Sequence, residues 1–274
     1  MHVFEKRGAS RVARPPSVTL GRMRRTRAAR RRIGAWISAL LALFALVAGC
    51  GGDSSSSETG ASEAGPGGGG LDASDELADE AAPPPVAVPD GAPTVLFLSD
   101  SIGAGLHLAE HQAYPAVLQR RLVEADQPFR LVNASESGRT TAGGVAALDW
   151  TLRSEPDVVV IALGGNDGLR GVPIAEIERN LRTMIERSRE AGARVLLLGI
   201  RIPENYGDYA TEFDELYPAL ADELEIDFLP FYMEGVGGVP ELNLSDGLHP
   251  TPDGHRKLAD NVAPALSAAL DALE

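Results

Sequence analysis

Short apolar runs alternate with amphipathic stretches from Thr94 onward, and this alternation constrains the fold more than any other feature of the sequence. The runs predict five strands, at Val95–Leu98, Phe129–Asn133, Val158–Leu163, Val195–Ile200 and Ile226–Leu229. The amphipathic stretches predict helices at about Tyr114–Ala125, Thr141–Arg153, Ile174–Ala191, Asp208–Leu224 and Pro252–Ala272. Most of the runs are apolar throughout, as expected for parallel strands buried on both faces. We therefore predict one α/β domain with a mostly parallel five-stranded sheet over residues 93–274.

The first 50 of the 274 residues have the composition of a targeting segment. They hold 11 of the 25 Lys and Arg residues and one acid, Glu5, and the stretch from Ile33 to Gly49 is uncharged and mostly apolar. A basic region, an apolar run and small residues in this order predict a signal peptide over residues 1–50. Met23 is an alternative start, because it leaves a more usual basic region.

Cys50 is the sole cysteine and follows Val47-Ala48-Gly49 at the end of the apolar run. Val47 to Cys50 resembles the bacterial lipobox, so we expect Cys50 to be lipidated and to anchor an exported protein to a membrane of the cell envelope. An uncleaved membrane anchor is the alternative, since Ile33 to Gly49 is near the lower limit for crossing a hydrocarbon core of about 30 Å. One cysteine leaves no disulfide within the chain.

Residues 51–92 are rich in Gly, Ser, Pro and acids, as in GGDSSSSETG and AAPPPVAVPDGAP, and they predict a disordered linker. The formal net charge of the chain is -14, and the basic N-terminus masks a more acidic remainder. A body this acidic repels nucleic acid and anionic membranes, so we expect no nucleic-acid partner. A single small domain predicts a monomer.

Small and polar residues follow each predicted strand. They stand in SDSIG after the first, NASESGRT after the second, GGNDG after the third and RIPENYG after the fourth, and DGLHP precedes the last helix. Ligands of open α/β sheets bind beyond the carboxyl ends of the strands, so these loops are expected to converge on one edge.

The converging loops contain the groups that acyl transfer needs: a nucleophile, a base, an acid that orients the base, and donors for the oxyanion. Ser101 has the place of a nucleophile, His249 can serve as its base, and Asp246 lies within reach of the imidazole. The backbone N–H groups of Ser101 and Gly138 and the side-chain amide of Asn166 are candidate oxyanion donors.

Several stretches together resemble the SGNH (GDSL) hydrolase superfamily, in particular its bacterial acyl thioesterase, lysophospholipase and arylesterase type. They are LSDSIGAG, LVNASESGRT, LGGNDGLRG, IRIPENYG, LPFYMEGV and DGLHPTPDG. The resemblance implies a flavodoxin-like three-layer α/β/α sandwich, with Ser101, Gly138, Asn166 and His249 as the four named residues and Asp246 as the acid of the triad. Arg170 lies in a segment resembling the substrate-covering loop of the family, and Asn205 and Tyr206 are similar substrate-binding candidates.

The chain departs from the family at Ser99, where the usual residue is glycine, and mildly at Ile102. A side chain at Ser99 is expected either to tighten the turn or to narrow the site. Asp100 and Asp167 are expected to cap or pin loops rather than to react.

The histidines outside the triad are expected to be structural. His107 and His111 are near the first helix, where we expect ordinary exposed positions; the alternative is that they border the site. His255 is expected on the surface of the last helix. No spacing suits a metal or a bound phosphate, so we predict that no cofactor is needed.

These observations predict a lipid-anchored cell-envelope serine hydrolase of acyl esters or thioesters. A histidine base predicts that activity falls at low pH. Two alternatives remain: an acetylesterase that acts on envelope or extracellular polysaccharide, and a non-catalytic lipoprotein that binds lipid or glycan. Neither acyl length nor the natural substrate follows from the sequence.

Overall fold

The computed structural model describes residues 82–273. The predicted signal peptide, Cys50 and the linker as far as residue 81 lie outside these residues. Residues 82–93 form neither helix nor strand, and a hydrogen bond from Arg120 Nη1 to the carbonyl oxygen of Pro84 ties this segment to the domain. No helix within 82–273 is long and apolar enough to cross a membrane.

Five parallel strands form one sheet in the order β2-β1-β3-β4-β5. The strands are β1 (Thr94–Ser99), β2 (Arg130–Asn133), β3 (Val158–Ala162), β4 (Arg194–Leu198) and β5 (Asp227–Leu229). β1 and β3 are buried along their whole length, which explains their uninterrupted apolar sequences. All five strands were predicted within about two residues, and the sheet is parallel throughout.

Seven helices connect and cover the strands in the described part of the chain. They are α1 (Ser101–Ala104), α2 (Tyr114–Glu124), α3 (Thr141–Thr151), α4 (Gly165–Leu169), α5 (Ile174–Glu190), α6 (Asp208–Leu224) and α7 (Pro252–Asp271). α2 packs on α7 in one layer, and α3, α5 and α6 form the other, which gives the predicted three-layer sandwich. α1 and α4 were missed because they are too short to show an amphipathic period.

The core fills both spaces between the sheet and the helices. Leu118 of α2 and Leu258 of α7 are fully buried on one side, and Leu181 of α5 and Phe213 of α6 are fully buried on the other. The strand order reverses between β1 and β3, so the carboxyl ends of these two strands flank the crevice where sheets of this kind bind ligands.

Candidate active site

Ser101 is the first residue of α1, directly after β1. The turn is fixed by Asp100, whose Oδ1 accepts a hydrogen bond of 3.0 Å from the backbone N–H of Ile102. The side chain of an N-cap residue commonly holds a helix start in this way. Ser101 is left half-buried at the sheet edge, where its hydroxyl can meet a substrate.

Gly103 lets this turn lie close to the neighbouring loop. A Cβ at this position would be 2.4 Å from Ser135 Oγ and 2.6 Å from Ser99 Cβ, which is too close for any side chain. The carbonyl oxygen of Gly103 accepts a hydrogen bond of 3.0 Å from Asn133 Nδ2. The helix that begins at Ser101 is therefore pinned to the end of β2.

Ser99 is fully buried beneath the turn. Its Oγ donates a hydrogen bond of 3.1 Å to the carbonyl oxygen of Ala162, the last residue of β3. Of the two expectations for this residue, the structure favours a tighter turn: the hydroxyl joins the ends of the two central strands and does not project into the site.

The loop before α7 brings a histidine and an aspartate to Ser101. His249 Nε2 lies 3.0 Å from Ser101 Oγ, and His249 Nδ1 lies 2.6 Å from Asp246 Oδ2. The three predicted side chains thus form one continuous hydrogen-bonded chain, although Ser101 is 148 residues from His249. With Nδ1–H donated to the carboxylate, Nε2 presents its lone pair to the serine hydroxyl.

The second carboxylate oxygen of Asp246 binds the backbone of its own loop. Oδ1 accepts hydrogen bonds of 2.8 Å from Leu248 N–H and 3.0 Å from His249 N–H. Partial burial by itself raises the pKa of Asp246, but the hydrogen bonds to the backbone and side chain of His249 outweigh it and lower the pKa to about 2. Asp246 therefore stays ionised at every pH well above 2.

The predicted oxyanion donors lie on loops next to Ser101. Gly138 is exposed with a φ of +77°, a conformation that favours glycine. Among the described residues, neither its backbone N–H nor that of Ser101 donates to another group. Asn166, at the start of α4, directs its Nδ2 towards the carbonyl oxygen of Arg139 at 3.2 Å.

Asp100 and Asp167 have structural contacts, as predicted. Asp167 is buried and accepts hydrogen bonds from the N–H and hydroxyl of Thr141, so it holds the start of α3. Asp100 Oδ2 lies 3.4 Å from Asn166 Nδ2 and links the turn of β1 to that of β3. Burial raises the pKa of Asp100 to about 6, against the lowering effect of the Ile102 N–H.

Two of the three predicted substrate-binding residues contact the loops of the site. Arg170 is exposed and reaches Asn166 Oδ1 at 3.4 Å and the carbonyl oxygen of Gly138 at 3.5 Å. Tyr206 donates a hydrogen bond of 3.0 Å to the carbonyl oxygen of Leu169 at the end of α4. Asn205 is exposed beside Tyr206, and its substrate-binding role stays a prediction.

Two histidines differ from their expected positions. His255 was expected on the surface of the last helix, but it is 1% exposed and its Nδ1 accepts a hydrogen bond of 3.1 Å from the N–H of Tyr114. The expectation was wrong because His255 lies three residues before Leu258 and four before Ala259, a spacing that puts it on the buried face of α7. His107 lies outside any helix, with its ring 6.2 Å from that of His249. His107 thus borders the site, which the sequence alone had left open, and the helical spacing of His255 to Leu258 was a signal of its burial.

Within residues 82–273, no cluster of three or more His, Cys, Asp or Glu side chains could hold a metal ion.

A flavodoxin-like sheet that carries a hydrogen-bonded serine, histidine and aspartate at its carboxyl edge is the arrangement expected of an ester hydrolase. The GDSL-like lipase/acylhydrolase family matches residues 97–257, more than half of the chain. The chain belongs to this family, and it is a hydrolase that acts on ester bonds.

Curated relatives agree with this assignment. The esterase TesA of Pseudomonas aeruginosa is 46% identical over 181 residues, which are 65% of this chain and 90% of the relative. An arylesterase of Vibrio mimicus is 40% identical over 174 residues, 63% of this chain and 87% of the relative. The thioesterase 1/protease 1/lysophospholipase L1 of Escherichia coli K12 is 40% identical over 177 residues, 64% of this chain and 84% of the relative.

Solved structures show the same fold. A crystal structure of TesA is 45% identical, with a TM-score of 0.62 over 64% of this chain and 99% of that one. The psychrotrophic esterase EstA of Pseudoalteromonas, solved with monoethylphosphonate as an inhibitor, is 31% identical, with a TM-score of 0.62 over 65% of this chain and 98% of that one.

Proposed function

We propose that this protein is a lipid-anchored serine esterase and thioesterase of the cell envelope, with Ser101 as nucleophile, His249 as general base and Asp246 as the acid that orients it. The observation that carries the proposal is the unbroken hydrogen-bonded chain from Ser101 Oγ through both nitrogens of His249 to Asp246. The distances of 3.0 and 2.6 Å along this chain are within hydrogen-bonding reach, which supports the proposed roles.

The acylation half-reaction begins at Ser101. As its Oγ bonds to the acyl carbon, the hydroxyl proton passes to His249 Nε2. The ionised Asp246 stabilises the imidazolium, and the tetrahedral intermediate collapses when His249 donates the proton to the departing alcohol or thiol.

Deacylation repeats these steps with water. His249 takes a proton from the water that attacks the acyl-serine, and the second intermediate collapses to release the carboxylic acid and return the proton to Ser101 Oγ. In both halves the oxyanion accepts hydrogen bonds from the N–H groups of Ser101 and Gly138 and from the amide of Asn166. Withdrawing one such donor typically slows catalysis about 10²- to 10³-fold.

The rim of the site supports an apolar acyl or aryl group as substrate. Large exposed apolar side chains lie on the same segments as the site residues. They are Leu169, Tyr206 and Leu248. Arg170 and Asn205 are proposed to bind substrate beside them. The names of the relatives, which include an esterase, an arylesterase and a thioesterase/lysophospholipase, support carboxylic esters and thioesters as the substrate class.

The proposed location rests on the N-terminal sequence. The lipobox-like Val47–Cys50 supports a diacylglyceryl anchor on Cys50. The predicted linker that follows has a root-mean-square span of roughly 35 Å, enough to keep the domain away from the membrane surface. A monomer is proposed for the anchored form.

The proposal is tested with the full chain on p-nitrophenyl esters and acyl-CoA thioesters whose acyl groups run from acetyl to palmitoyl. Wild type is expected to cleave both series, and Ser101→Ala is expected to cleave neither above the rate with denatured protein. Equal slow rates for wild type and the variant would refute the mechanism. Cleavage restricted to acetyl esters would instead favour the polysaccharide acetylesterase.

A further inference from the structure

His107 has a backbone conformation that is unfavourable for its side chain. Its φ is +70°, in the left-handed region, where residues other than glycine are uncommon. Three other described residues that are not glycine share this conformation: Asp126, Glu155 and Glu225. Each of the three directly follows or closes a helical segment, as left-handed residues often do. At the end of α1 that position is occupied by Gly105. His107 is instead the third residue of a β-turn that is closed by a hydrogen bond of 2.9 Å from Leu108 N–H to the carbonyl oxygen of Gly105. A left-handed residue at this position of a turn is usually glycine or asparagine, so a histidine here is uncommon.

The conformation of His107 places its imidazole against the catalytic base. The ring centroids of His107 and His249 are 6.2 Å apart and the ring planes are 89° apart, an edge-to-face arrangement. Aromatic pairs prefer this geometry at centroid distances of 4.5–7 Å. The segment is also tied to the nucleophile helix, because Leu106 N–H donates a hydrogen bond of 3.1 Å to the carbonyl oxygen of Ser101.

Solvent reaches the surroundings of His249, since Asp246 and His107 are exposed and Ser101 is half-buried. The Asp246 side chain is 39% exposed and the His249 side chain 20% exposed, so solvent reaches the pair that orients the ring. A hydrogen bond at Nδ1 alone leaves the imidazole able to tilt about the line joining it to the carboxylate. The ring of His107, at right angles and 6.2 Å away between centroids, is placed to limit that tilt.

We propose that His107 is a positioning residue for the reaction: its ring, held edge-on by a left-handed backbone, keeps the His249 imidazole aligned with Ser101. The proposal rests on the roles given above to Ser101 and His249. Strained backbone that persists at an active site is commonly part of its pre-organisation, and a small misplacement of a catalytic group lowers rates strongly.

The test compares three variants of the full chain. His107→Asn removes the ring but tolerates the left-handed conformation, His107→Gly removes both ring and strain, and His107→Phe keeps an aromatic ring at the cost of more strain. On p-nitrophenyl butyrate, we expect the Asn and Gly variants to lose about tenfold in kcat with KM changed less than twofold. The Phe variant is expected to stay within threefold of wild type in kcat.

Thermal unfolding separates positioning from a structural role. The Gly variant is expected to have the highest Tm and the Phe variant the lowest, the reverse of their activities. Asp126→Gly is the matched control, because it relieves the same strain far from the site and should leave kcat unchanged. Wild-type kcat in the Asn and Gly variants, or an equal loss in the Phe variant, would overturn the proposal.

Reaction of Ser101 with a p-nitrophenyl phosphonate ester gives an independent readout of the same alignment. The Asn and Gly variants are expected to be phosphonylated about tenfold more slowly than wild type. A wild-type protein that neither cleaves esters nor is phosphonylated at Ser101 would refute the proposed function itself. An active, labelled wild type with unaffected variants would refute the role of His107 alone.

Discussion

At the scale of single residues, Ser99 and Gly103 act as a matched pair. Ser99 occupies the space that a side chain at Gly103 would need, and its hydroxyl reaches the carbonyl oxygen of Ala162. A serine in place of the glycine usual in the family therefore adds a contact between β1 and β3 without entering the site.

Ser99→Gly is expected to lower the free energy of unfolding by about 1 kcal/mol, because it removes a buried hydrogen bond and adds freedom to the unfolded chain. The ranking of acyl lengths in the ester series should be unchanged. Urea unfolding and the ester panel measure the two effects. A shifted acyl preference would show that Ser99 does shape the site.

Asp246→Asn keeps the shape of the acid but removes its charge. The amide can no longer stabilise an imidazolium or hold Nδ1 protonated, so we expect kcat to fall about 10³-fold, with KM nearly constant. Steady-state kinetics on p-nitrophenyl butyrate measure this. A loss of less than tenfold would mean that the solvent-exposed carboxylate contributes little.

Asp100 makes stability depend on pH. Its pKa rises from 3.8 to about 6 on folding, so the folded protein binds the proton more tightly than the unfolded chain. The free energy of unfolding is therefore highest below about pH 4 and decreases by up to about 3 kcal/mol as the pH rises from 4 through 6. In Asp100→Asn this loss is absent. Relative to wild type, the variant is expected to gain stability between pH 4 and 7, on top of a constant penalty from the lost Asn166 contact. A pH-independent difference in urea unfolding would contradict this assignment.

At the scale of elements, the site depends on three strand ends and the loop before α7, since Gly138 lies on the loop that follows β2. β1 delivers Ser101 and β3 delivers Asn166, and the loop before α7 supplies both Asp246 and His249. α7 also fixes its neighbour in the same layer, because His255 accepts a hydrogen bond from the first N–H of α2. Such N–H groups have no partner within their own helix.

His255 is expected to make the packing of α7 on α2 sensitive to acid. Burial, with a smaller effect from the charge of His249, lowers its pKa from 6.5 to about 4. The unfolded chain therefore binds more protons between these pH values, and stability falls by up to about 3 kcal/mol as the pH drops from 6.5 to 4. His255→Gln keeps an acceptor for Tyr114 N–H and should remove this slope.

Thermal unfolding of His255→Gln and wild type at several pH values provides the measurement. On acidification, the Tm of the variant is expected to fall less than the Tm of wild type. Parallel Tm curves for the two proteins would show that His255 does not titrate in this range.

The sequence predicted the elements and the loops of the site, but not the contacts that depend on three-dimensional packing. Continuous apolar runs located β1 and β3, and the order of motifs located Ser101, Asp246 and His249. The edge contact of His107 depends on the turn after α1, which no local pattern encodes. The burial of His255 was missed although its helical spacing to Leu258 and Ala259 indicates it. α1 and α4 were missed because one turn of helix shows no periodicity.

At the scale of the whole molecule, anchoring and catalysis are assigned to separate parts of the chain. The site lies within residues 82–273, and the proposed anchor at Cys50 is connected to it by the predicted linker. After the first 50 residues the chain carries 38 acids against 14 Lys and Arg residues, so its body has no electrostatic attraction to an anionic membrane.

Cys50→Ser is expected to abolish incorporation of labelled palmitate and to shift the protein from the membrane to the aqueous fraction. Its kcat on p-nitrophenyl butyrate should stay within twofold of wild type, because every group in the proposed mechanism lies within residues 82–273. Retention in the membrane fraction without the label would indicate that the apolar run remains as an uncleaved anchor. Loss of activity in the released protein would contradict the separation of the two parts.

The loop that carries Asp246 and His249 also bears on folding. The acid and the base are three residues apart and share hydrogen bonds within one turn, so they can meet as soon as that loop forms. Ser101 reaches them only after β1 has paired with β3 and the chain has closed a loop of 148 residues. Such non-local closure is slow. We therefore expect ester cleavage during refolding to appear only once the complete topology of the chain has formed.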